Sequence, residues 1–501
     1  MNNTIQIPLN TSKKRKREII RDWCRQTFLI EKLANKFGLI FFIACSILLS
    51  VAVSLFGVTF GILIAIVLIA IPVVVGLVIY PQFGIIVYLS MSFSIMFLLR
   101  YGISFPLGTL MDGMLVLFIL GLFIQQKKKP DWAIFKSPVS LWILIWIGYN
   151  FLEFGNPTTE SRTAWVYTIR GMALVTMMYF IFLYNIRTKA YMRFVFKWWL
   201  GFMLIAALYA FKQEYLGFYD FEEAYNHSEG VPLLLFIAGH WRKYSVFSDP
   251  VTFAYNMSIA SLLCIGLLTG PLKVYQRIIL ISLIAIMLVG MMYSGTRGAF
   301  PLVPASLILY AILNYSKKIL IFTAVAAVFV VGLIFMPTSN QNILRFQSAF
   351  RPNDDPSYIV RKLNQARIKP YVWVHPLGGG LGSTGEWGKK FAPGSFLSTF
   401  PPDSGYVRTT VELGWIGLTI FCIMIFTIIK TGIDNYYKIR DPELKSYSLG
   451  MVLMVFAWNI ANFPQEALVQ YPSNVIFYLT VAMINVCLRI DQEQQKSLVY
   501  E

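Results

Sequence analysis

The sequence has few charged residues: Asp, Glu, Lys and Arg make up 14% of its 501 positions, against 57% hydrophobic residues. A soluble core of this size does not need so much apolar side chain, so the shortage of charge predicts a polytopic membrane protein. The alternating segments of about ten residues that mark a membrane β-barrel are also missing. The remaining fold class is all-α, a polytopic transmembrane helical bundle of about 12–14 spans.

Cysteine, histidine and acidic residues are scarce as well. No pair of the five cysteines has metal-ligand spacing, and we expect no disulfide framework. We also expect no metal site and no cofactor. Lys and Arg outnumber Asp and Glu by 43 to 25, which in a soluble protein would suggest nucleic acid. Here much of the positive charge lies in short loops between apolar runs, where it sets membrane orientation. We therefore expect membrane lipids, and no nucleic acid, among the partners.

Apolar runs of bilayer length recur along the chain. We predict spans near 38–56, 58–80, 84–99, 107–124, 138–153, 164–184, 194–216, 251–269, 277–294, 299–314, 319–336, 405–430, 446–464 and 472–489. The predicted segments are a basic amphipathic cytoplasmic tail (1–36), N-terminal transmembrane helices (37–216), an extracytoplasmic loop (217–250), transmembrane helices with the Arg297 turn (251–336), a long extracytoplasmic loop (337–404), C-terminal transmembrane helices (405–489) and a cytoplasmic tail (490–501).

The positive charges agree with one orientation. If the basic run at 13–17 is cytoplasmic, every predicted inner loop after the second hairpin is rich in Lys and Arg. This predicts a multi-pass protein of the bacterial inner membrane with both termini in the cytoplasm. The segments 217–250 and 337–404 and the short turn at 294–298 then lie outside.

The turn between two predicted spans reads Ser-Gly-Thr-Arg-Gly-Ala at 294–299. A short outer loop should be poor in cations, so Arg297 is a candidate for function. Its guanidinium fork matches two phosphate oxygens, and the turn precedes a helix, whose N-terminus favours anions. The alternative is that Arg297 reaches to lipid headgroups.

A second basic stretch, His-Trp-Arg-Lys, precedes the span that begins near 250. Asp249 and Pro250 are suited to start that helix, which leaves Arg242 available to the site. Lys243 beside it is a candidate for substrate binding. The alternative is that Arg242 and Lys243 are ordinary loop cations.

Three further segments carry candidate substrate-binding residues. His375 opens the glycine-rich stretch at 375–383, although packing of the loop is the favoured alternative for it. Arg408 and Glu412 are four residues apart and can pair on one helix face. Arg170 lies inside a span and should face the bundle interior. Asp403, just before the span at 405, is a candidate general base, with helix capping as the equal alternative.

These motifs, in this order, resemble the O-antigen ligase and polymerase superfamily. The resemblance rests on the Ser-Gly-Thr-Arg-Gly-Ala turn, the His-Pro-Leu-Gly-Gly-Gly-Leu-Gly loop, and Asp403-Ser404 followed by Glu412, Gly414 and Gly417. It implies a GT-C-like helical bundle and transfer of a glycan from an undecaprenyl-diphosphate donor to a lipid or glycan acceptor. It also implies that two arginines, by position Arg242 and Arg297, hold the diphosphate. Family ligases usually carry a histidine where this chain has Asp403, which puts a lipid A–core acceptor in doubt.

The mechanism expected from these residues is an inverting glycosyl transfer with Asp403, Arg297 and Arg242 as its catalytic residues. Asp403 would deprotonate the acceptor hydroxyl, and the arginines would stabilise the departing diphosphate. The sequence leaves open whether the product is that of a ligase or of a polysaccharide polymerase. The alternative from another class is a transporter or flippase of lipid-linked glycans, which would more often show internal repeats and broken helices.

Overall fold

The structure is a computed structural model that describes residues 36–56, 74, 76–102, 106–128, 130–237, 239–339, 341–348, 350 and 356–500. The basic run at 13–17, its predicted amphipathic continuation to residue 35, and most of the second predicted span (58–80) lie outside these residues. The chain divides into two units, Met1–Gly76 and Leu77–Glu501. The helix Lys36–Phe56 belongs to the first unit, and the packing and the candidate site described below belong to the second.

The described chain is helical almost throughout. The helices of its N-terminal half are α1 (Lys36–Phe56), α2 (Pro81–Arg100), α3 (Leu107–Lys128), α4 (Pro138–Leu152), α5 (Arg162–Ile169), α6 (Met178–Asn185), α7 (Lys189–Tyr215), α8 (Asp220–Asn226) and α9 (Val231–Leu235). Those of its C-terminal half are α10 (Pro250–Leu268), α11 (Val274–Tyr293), α12 (Leu302–Leu313), α13 (Lys317–Phe335), α14 (Gln341–Ser348), α15 (Pro356–Val374), α16 (Gly385–Phe391), α17 (Gly405–Lys438), α18 (Pro442–Ala461) and α19 (Ser473–Tyr500).

This architecture confirms the predicted all-α class. The described residues contain only one pair of strands, β1 (Phe236–Ile237) and β2 (His240–Trp241), which are antiparallel. Eleven helical segments of the described chain are long and apolar enough to cross a membrane, with Arg162–Asn185, which comprises α5, α6 and the turns between them, counted as one. Predicted spans 138–153 and 299–314 correspond to the shorter helices α4 and α12, so they are outside this set of eleven.

The two segments predicted as long loops, 217–250 and 337–404, are largely helical. The first contains α8, α9 and the strand pair, and the second contains α14, α15 and α16. None of these helices contains a continuous apolar run of bilayer length, so apolar runs in the sequence do not reveal them. They gather at the end of the bundle that carries Arg297, which we call the Arg297 end.

Two predicted spans are interrupted where polar residues lie. Between α5 and α6 the chain forms a π-helical turn, Arg170–Leu174, followed by a 3₁₀ turn, Val175–Met177. Within α17 the backbone leaves the helical conformation at Gly414, where φ is 67° and ψ is −177°. The sequence pattern predicted a continuous helix at both places, because apolar periodicity does not register one irregular residue.

The centre of the bundle is α10, which is buried along almost its whole length and packs against α11 and α18. Asp249 accepts hydrogen bonds from the Val251 and Thr252 amides at 2.8 and 2.9 Å, which confirms that Asp249 and Pro250 start this helix. A Cβ on Gly266 would lie 2.4 Å from the Gly450 Cα, so small residues let α10 and α18 approach closely.

The opposite end of the bundle is closed by ion pairs. The Lys189 ammonium lies 2.7 Å from Asp441 and 2.9 Å from Glu443, and Arg193 also contacts Glu443. Burial acts against ionisation of Asp441, but hydrogen bonds from Lys189 and from the backbone hold the pKa of Asp441 below its ordinary value. These cations, which we predicted in inner loops, therefore join α7 to the start of α18.

Candidate functional site

The turn that carries Arg297 is held tightly against two other parts of the chain. After α11 ends, residues Arg297–Ala299 form a 3₁₀ turn. The Thr296 hydroxyl donates to the Pro250 carbonyl at 3.1 Å, which ties the turn to the start of α10. A Cβ on Gly298 would lie 2.8 Å from the Tyr255 hydroxyl and 3.2 Å from Pro464, so only glycine fits there without displacing them.

Arg242 lies on this same turn. It follows β2, and its amide donates to the Leu235 carbonyl at 2.8 Å, which extends the hairpin by one bond. Its guanidinium donates through Nε to the Ser294 carbonyl (2.8 Å) and through Nη2 to the Thr296 hydroxyl (2.9 Å). The structure thus brings Arg242 and Arg297, 55 positions apart in the sequence, onto one short turn.

Lys243 points away from its neighbour. Its ammonium lies 3.3 Å from the Glu214 carboxylate on α7 and 4.9 Å from the centre of the Phe218 ring. Its amide donates to the Tyr293 carbonyl at 3.1 Å. These contacts fasten the hairpin to α7 and α11 and give Lys243 a role in positioning Arg242.

Two residues at this turn were not among the predicted site residues. The Tyr255 hydroxyl, on α10, is buried and makes no hydrogen bond to any residue that the structure describes. It lies within electrostatic range of the guanidinium groups of Arg361, on α15, and Arg242. Within the described chain Arg361 makes no hydrogen bond or ion pair. A buried polar atom without a partner calls for an explanation, and a ligand that reaches this point would supply the missing contacts.

No local signal in the sequence could have selected these two residues. Arg361 is one of many cations in the 337–404 segment, and Tyr255 is one of 27 tyrosines. Their proximity depends on how α15 packs onto the bundle, where it contacts α17, and this arrangement is set by long-range contacts.

Asp403 lies immediately before α17. The capping interpretation is wrong, because Ser404 occupies the N-cap position and the cap has no side-chain hydrogen bond. In the described part of the chain the Asp403 carboxylate accepts no hydrogen bond and forms no ion pair. It lies within electrostatic range of Glu466. A carboxylate with unused acceptor capacity is what general base catalysis requires.

The loop at 462–472, between α18 and α19, joins the Asp403 region to the Arg297 turn. The Asn462 carbonyl accepts from the Gly405 amide at 3.0 Å, and Pro464 packs beside Gly298. Glu466 accepts from Arg408 at 2.5 Å, and the Gln470 side chain accepts from Ser248 at 2.6 Å. This loop is the connection that the sequence could not reveal.

Glu466, in this loop, has a shifted pKa. Burial raises the pKa of the Glu466 carboxyl above its ordinary value, Arg408 lowers it, and the charges of Glu412 and Asp403 raise it further. Arg408 contacts Glu412 and Glu466, and Asp403 lies within electrostatic range of Glu466, so negative charge is concentrated on the Asp403 side of the loop.

Arg408 and Glu412 form the predicted pair, with a distance of 3.1 Å from Nε to the carboxylate. Glu412 also accepts from the Gly382 amide (3.0 Å) and from the Thr384 hydroxyl (2.5 Å). The glycine-rich loop consequently lies in the break of α17, where the Gly379 and Gly380 amides donate to the Val411 and Glu412 carbonyls.

The same loop is held from the other side by the chain that follows α4. The Asn156 amide group donates to the Leu377 carbonyl at 3.0 Å, and the Thr158 hydroxyl donates to the Gly378 carbonyl at 2.5 Å. The loop amides at 379, 380 and 382 all have protein acceptors, so they are not arranged as a phosphate cradle.

His375 and Arg170 lie at the edges of this region. The His375 ring stacks on Tyr371 with 3.9 Å between ring centres, and its Nδ1 donates to the Tyr371 carbonyl at 2.8 Å. This contact leaves Nε2 as the acceptor of the neutral ring. Arg170, at the π-helical turn, lies 2.5 Å from Asp112 on α3. Among the described residues, no group of three His, Cys, Asp or Glu side chains could hold a metal ion.

Comparison with known proteins agrees with these motifs. Residues 282–422 match the family model described as O-antigen ligase. The matched segment contains the Arg297 turn, Arg361, the glycine-rich loop, Asp403 and Glu412, whereas Arg242 and the loop at 462–472 lie outside it. No curated protein matches the chain. The match over residues 282–422 confirms the predicted resemblance of this multi-pass membrane protein to the O-antigen ligase and polymerase superfamily.

Proposed function

We propose that this protein is an inverting glycosyltransferase of surface polysaccharide assembly. It moves a glycan from undecaprenyl diphosphate to a sugar hydroxyl of a lipid or glycan acceptor, at the extracytoplasmic face of the bacterial inner membrane. The observation that carries the proposal is the attachment of Arg242 to the turn of Arg297, with Arg361 and the unpartnered Tyr255 hydroxyl beside it.

The cationic groups suit the diphosphate. Guanidinium groups bind phosphate oxygens through two parallel N–H donors, and Tyr255 adds a hydroxyl donor. The bond that breaks joins the anomeric carbon to the diphosphate oxygen. Negative charge grows on that oxygen, and the arginines stabilise it as undecaprenyl diphosphate departs.

Asp403 supplies the base. Its carboxylate takes the proton of the acceptor hydroxyl while the hydroxyl oxygen forms the new bond to the anomeric carbon from the opposite side. Arg408, Glu412 and Lys243 hold the surrounding chain, and His375 offers Nε2 to the acceptor sugar. The contact of Arg170 with Asp112 gives no direct link to the reacting groups, and we keep Arg170 as a candidate for acceptor binding.

The breaks at Arg170 and Gly414 favour the transporter alternative, since transporters of lipid-linked substrates often contain interrupted helices. At Gly414, however, the glycine-rich loop fills the break and accounts for its backbone groups. A filled break does not open a path through the bundle, so we retain the transporter function as the second candidate only.

The test uses the purified full-length protein in lipid vesicles with an undecaprenyl-diphosphate oligosaccharide and candidate acceptors, with a chelator present. Release of undecaprenyl diphosphate is followed for the wild type, for Arg297→Ala and for Arg277→Ala, an exposed arginine at the start of α11 that serves as control. We expect release by the wild type and the control, and its loss in Arg297→Ala.

The product and the alternative outcomes are equally informative. Addition of one glycan to a different acceptor identifies a ligase, and a ladder of lengthening chains identifies a polymerase. Movement of the lipid between leaflets that depends on Arg297, without release of the diphosphate, would show a flippase and remove Asp403 from the mechanism.

A further inference from the structure

Helix α15 (Pro356–Val374) presents an apolar stripe that the rest of the described chain leaves uncovered. Ile359, Leu363 and Trp373 belong to it, and the exposed fractions of the last two side chains are 65% and 73%. Ala366 and Pro370 complete the stripe and are also exposed. The spacing of four, three, four and three residues places all five on one face of a helix.

The opposite face of α15 packs on the protein. Ile368 belongs to a small core with Leu397, Phe400 and Val411, and Tyr371 packs against the same group. Arg361 lies on this inner side, within electrostatic range of Tyr255. The polarity of α15 is therefore the reverse of that of a surface helix in a soluble protein: Arg361 faces the protein, and the apolar stripe faces outward.

Cations flank the stripe on both sides. By the helical repeat of 100° per residue, Lys362 and Lys369 lie along one border and Arg367 lies along the other. All three side chains are exposed, and Arg367 lies 5.0 Å above the ring of Phe396. An apolar face about 100° wide, bordered by long basic side chains, is typical of helices that lie in the plane of a membrane surface.

The end of α15 is fixed at the level where α17 becomes a membrane helix. The loop after it is joined to the break by bonds from the Gly379 amide to the Val411 carbonyl (2.9 Å) and from the Ile416 amide to the Pro376 carbonyl (3.4 Å). Trp415 at this level has 49% of its surface exposed, and Phe426 further along α17 has 67%. An exposed tryptophan ahead of exposed apolar residues marks the interface between headgroups and acyl chains.

We propose that α15 is an interfacial helix whose apolar stripe is embedded in the leaflet at the Arg297 end. Ile359, Leu363 and Trp373 contact acyl chains, and Lys362, Arg367 and Lys369 reach the phosphates of acidic phospholipids. A second copy of this chain fits the stripe less well, because its own cations would face these three. The inference concerns the membrane contact of α15 and stands independently of the proposed reaction.

This placement of α15 also sets the depth of Arg361 relative to the membrane. The embedded face holds α15 at headgroup depth, and the inner face then holds Arg361 at the same depth. A lipid-linked diphosphate has its charged group at that level, so the membrane itself helps to set the height of Arg361.

The experiment places an environment-sensitive fluorophore on a single cysteine at position 363 (Leu363→Cys) in the full-length protein, with the five native cysteines replaced. The protein is reconstituted in vesicles that contain phosphatidylglycerol. Quenching by nitroxide lipids is compared with quenching by iodide in water. Phe426→Cys is the lipid-exposed control, and Glu386→Cys, on the exposed surface of α16, is the water-exposed control.

We expect the label at 363 to be quenched by nitroxide lipids about threefold more strongly than the label at 386, and to be protected from iodide. Iodide quenching equal to that at 386 would place the stripe in water and overturn the proposal. Protection from both quenchers would mean that protein covers the stripe, and this also overturns it. If the cysteine-free protein does not fold, a photo-crosslinking amino acid at 363 in the native background gives the same decision, with lipid adducts as the supporting result and protein adducts as the opposing one.

Discussion

Two polar regions at the Arg297 end differ in how completely their groups are partnered. Around Arg408, the guanidinium contacts Glu412 and Glu466, and Glu412 accepts four hydrogen bonds from Arg408, Gly382 and Thr384. By contrast, within the described chain the Tyr255 hydroxyl makes no hydrogen bond, and Arg361 and the Asp403 carboxylate make no hydrogen bond or ion pair.

This difference separates residues that stabilise the structure from residues that are proposed to act on the substrate. A buried polar network whose members are all satisfied rigidifies the protein and specifies one arrangement. Groups that remain without partners cost stability and persist where a substrate completes them. The Arg408 region is therefore the frame, and the Arg361, Tyr255 and Asp403 region is the site that the frame holds.

The largest effect is expected from breaking the frame at Gly414. In Gly414→Ala the new Cβ would lie 1.8 Å from the Pro376 carbonyl oxygen, at a backbone φ of 67° that disfavours side chains. We expect loss of most folded protein, measured by size-exclusion chromatography and thermal unfolding in detergent. Gly148→Ala, where nothing lies within 4 Å of the added Cβ, is the matched control. A normally folded Gly414→Ala protein would show that the loop is not anchored in this break.

The second-largest effect is expected on the rate of glycan transfer, without a change in stability. Asp403→Asn removes the base but keeps the shape, so we expect glycan transfer to fall by about 10²–10⁴-fold with the unfolding temperature unchanged. Glu386→Gln, an exposed carboxylate on α16, should leave transfer as it is. Transfer by Asp403→Asn at the rate of the control would mean that another group takes the proton, and His375 is then the first to test.

The third prediction compares substitutions at Arg361 and at Arg408. Arg361→Gln should raise the KM for the lipid-linked donor by about tenfold without lowering the unfolding temperature, since a charged contact to the ligand is lost. Arg408→Gln should lower the free energy of unfolding by about 1–3 kcal/mol, because it leaves buried carboxylates without their partner. If both variants affect the same quantity, the division into frame and site is wrong.

The smallest effect is expected at Tyr255. Removing an unpartnered buried hydroxyl should not destabilise the protein, so Tyr255→Phe should unfold at the same temperature as the wild type or slightly above it. Donor binding should weaken by about threefold, as expected for one neutral hydrogen bond. A clear fall in the unfolding temperature without donor would reveal a structural partner for this hydroxyl.

Much of the site could be found from motifs because each motif is local. The Ser-Gly-Thr-Arg-Gly-Ala turn, the glycine-rich loop and the Asp403–Glu412 stretch are contiguous in the sequence, and the family match covers all three. The Arg408–Glu412 pair followed from a spacing of four residues, which is also local. Arg361, Tyr255 and the loop at 462–472 were missed as parts of the site, because their importance arises from interactions between residues more than one hundred positions apart in the sequence.

The sequence by itself determined the all-α membrane fold, since apolar runs of bilayer length have no other stable form in lipid. It also determined where Asp249 starts α10, through a capping side chain next to a proline. Only the tertiary structure decided that α17 breaks at Gly414 around the glycine-rich loop, that Arg242 lies on the turn of Arg297, and that α15 turns Arg361 inward and its apolar stripe outward. Apolar periodicity indicates which residues avoid water, but it does not distinguish residues that face lipid from residues that face the protein core. Long-range packing decides between the two.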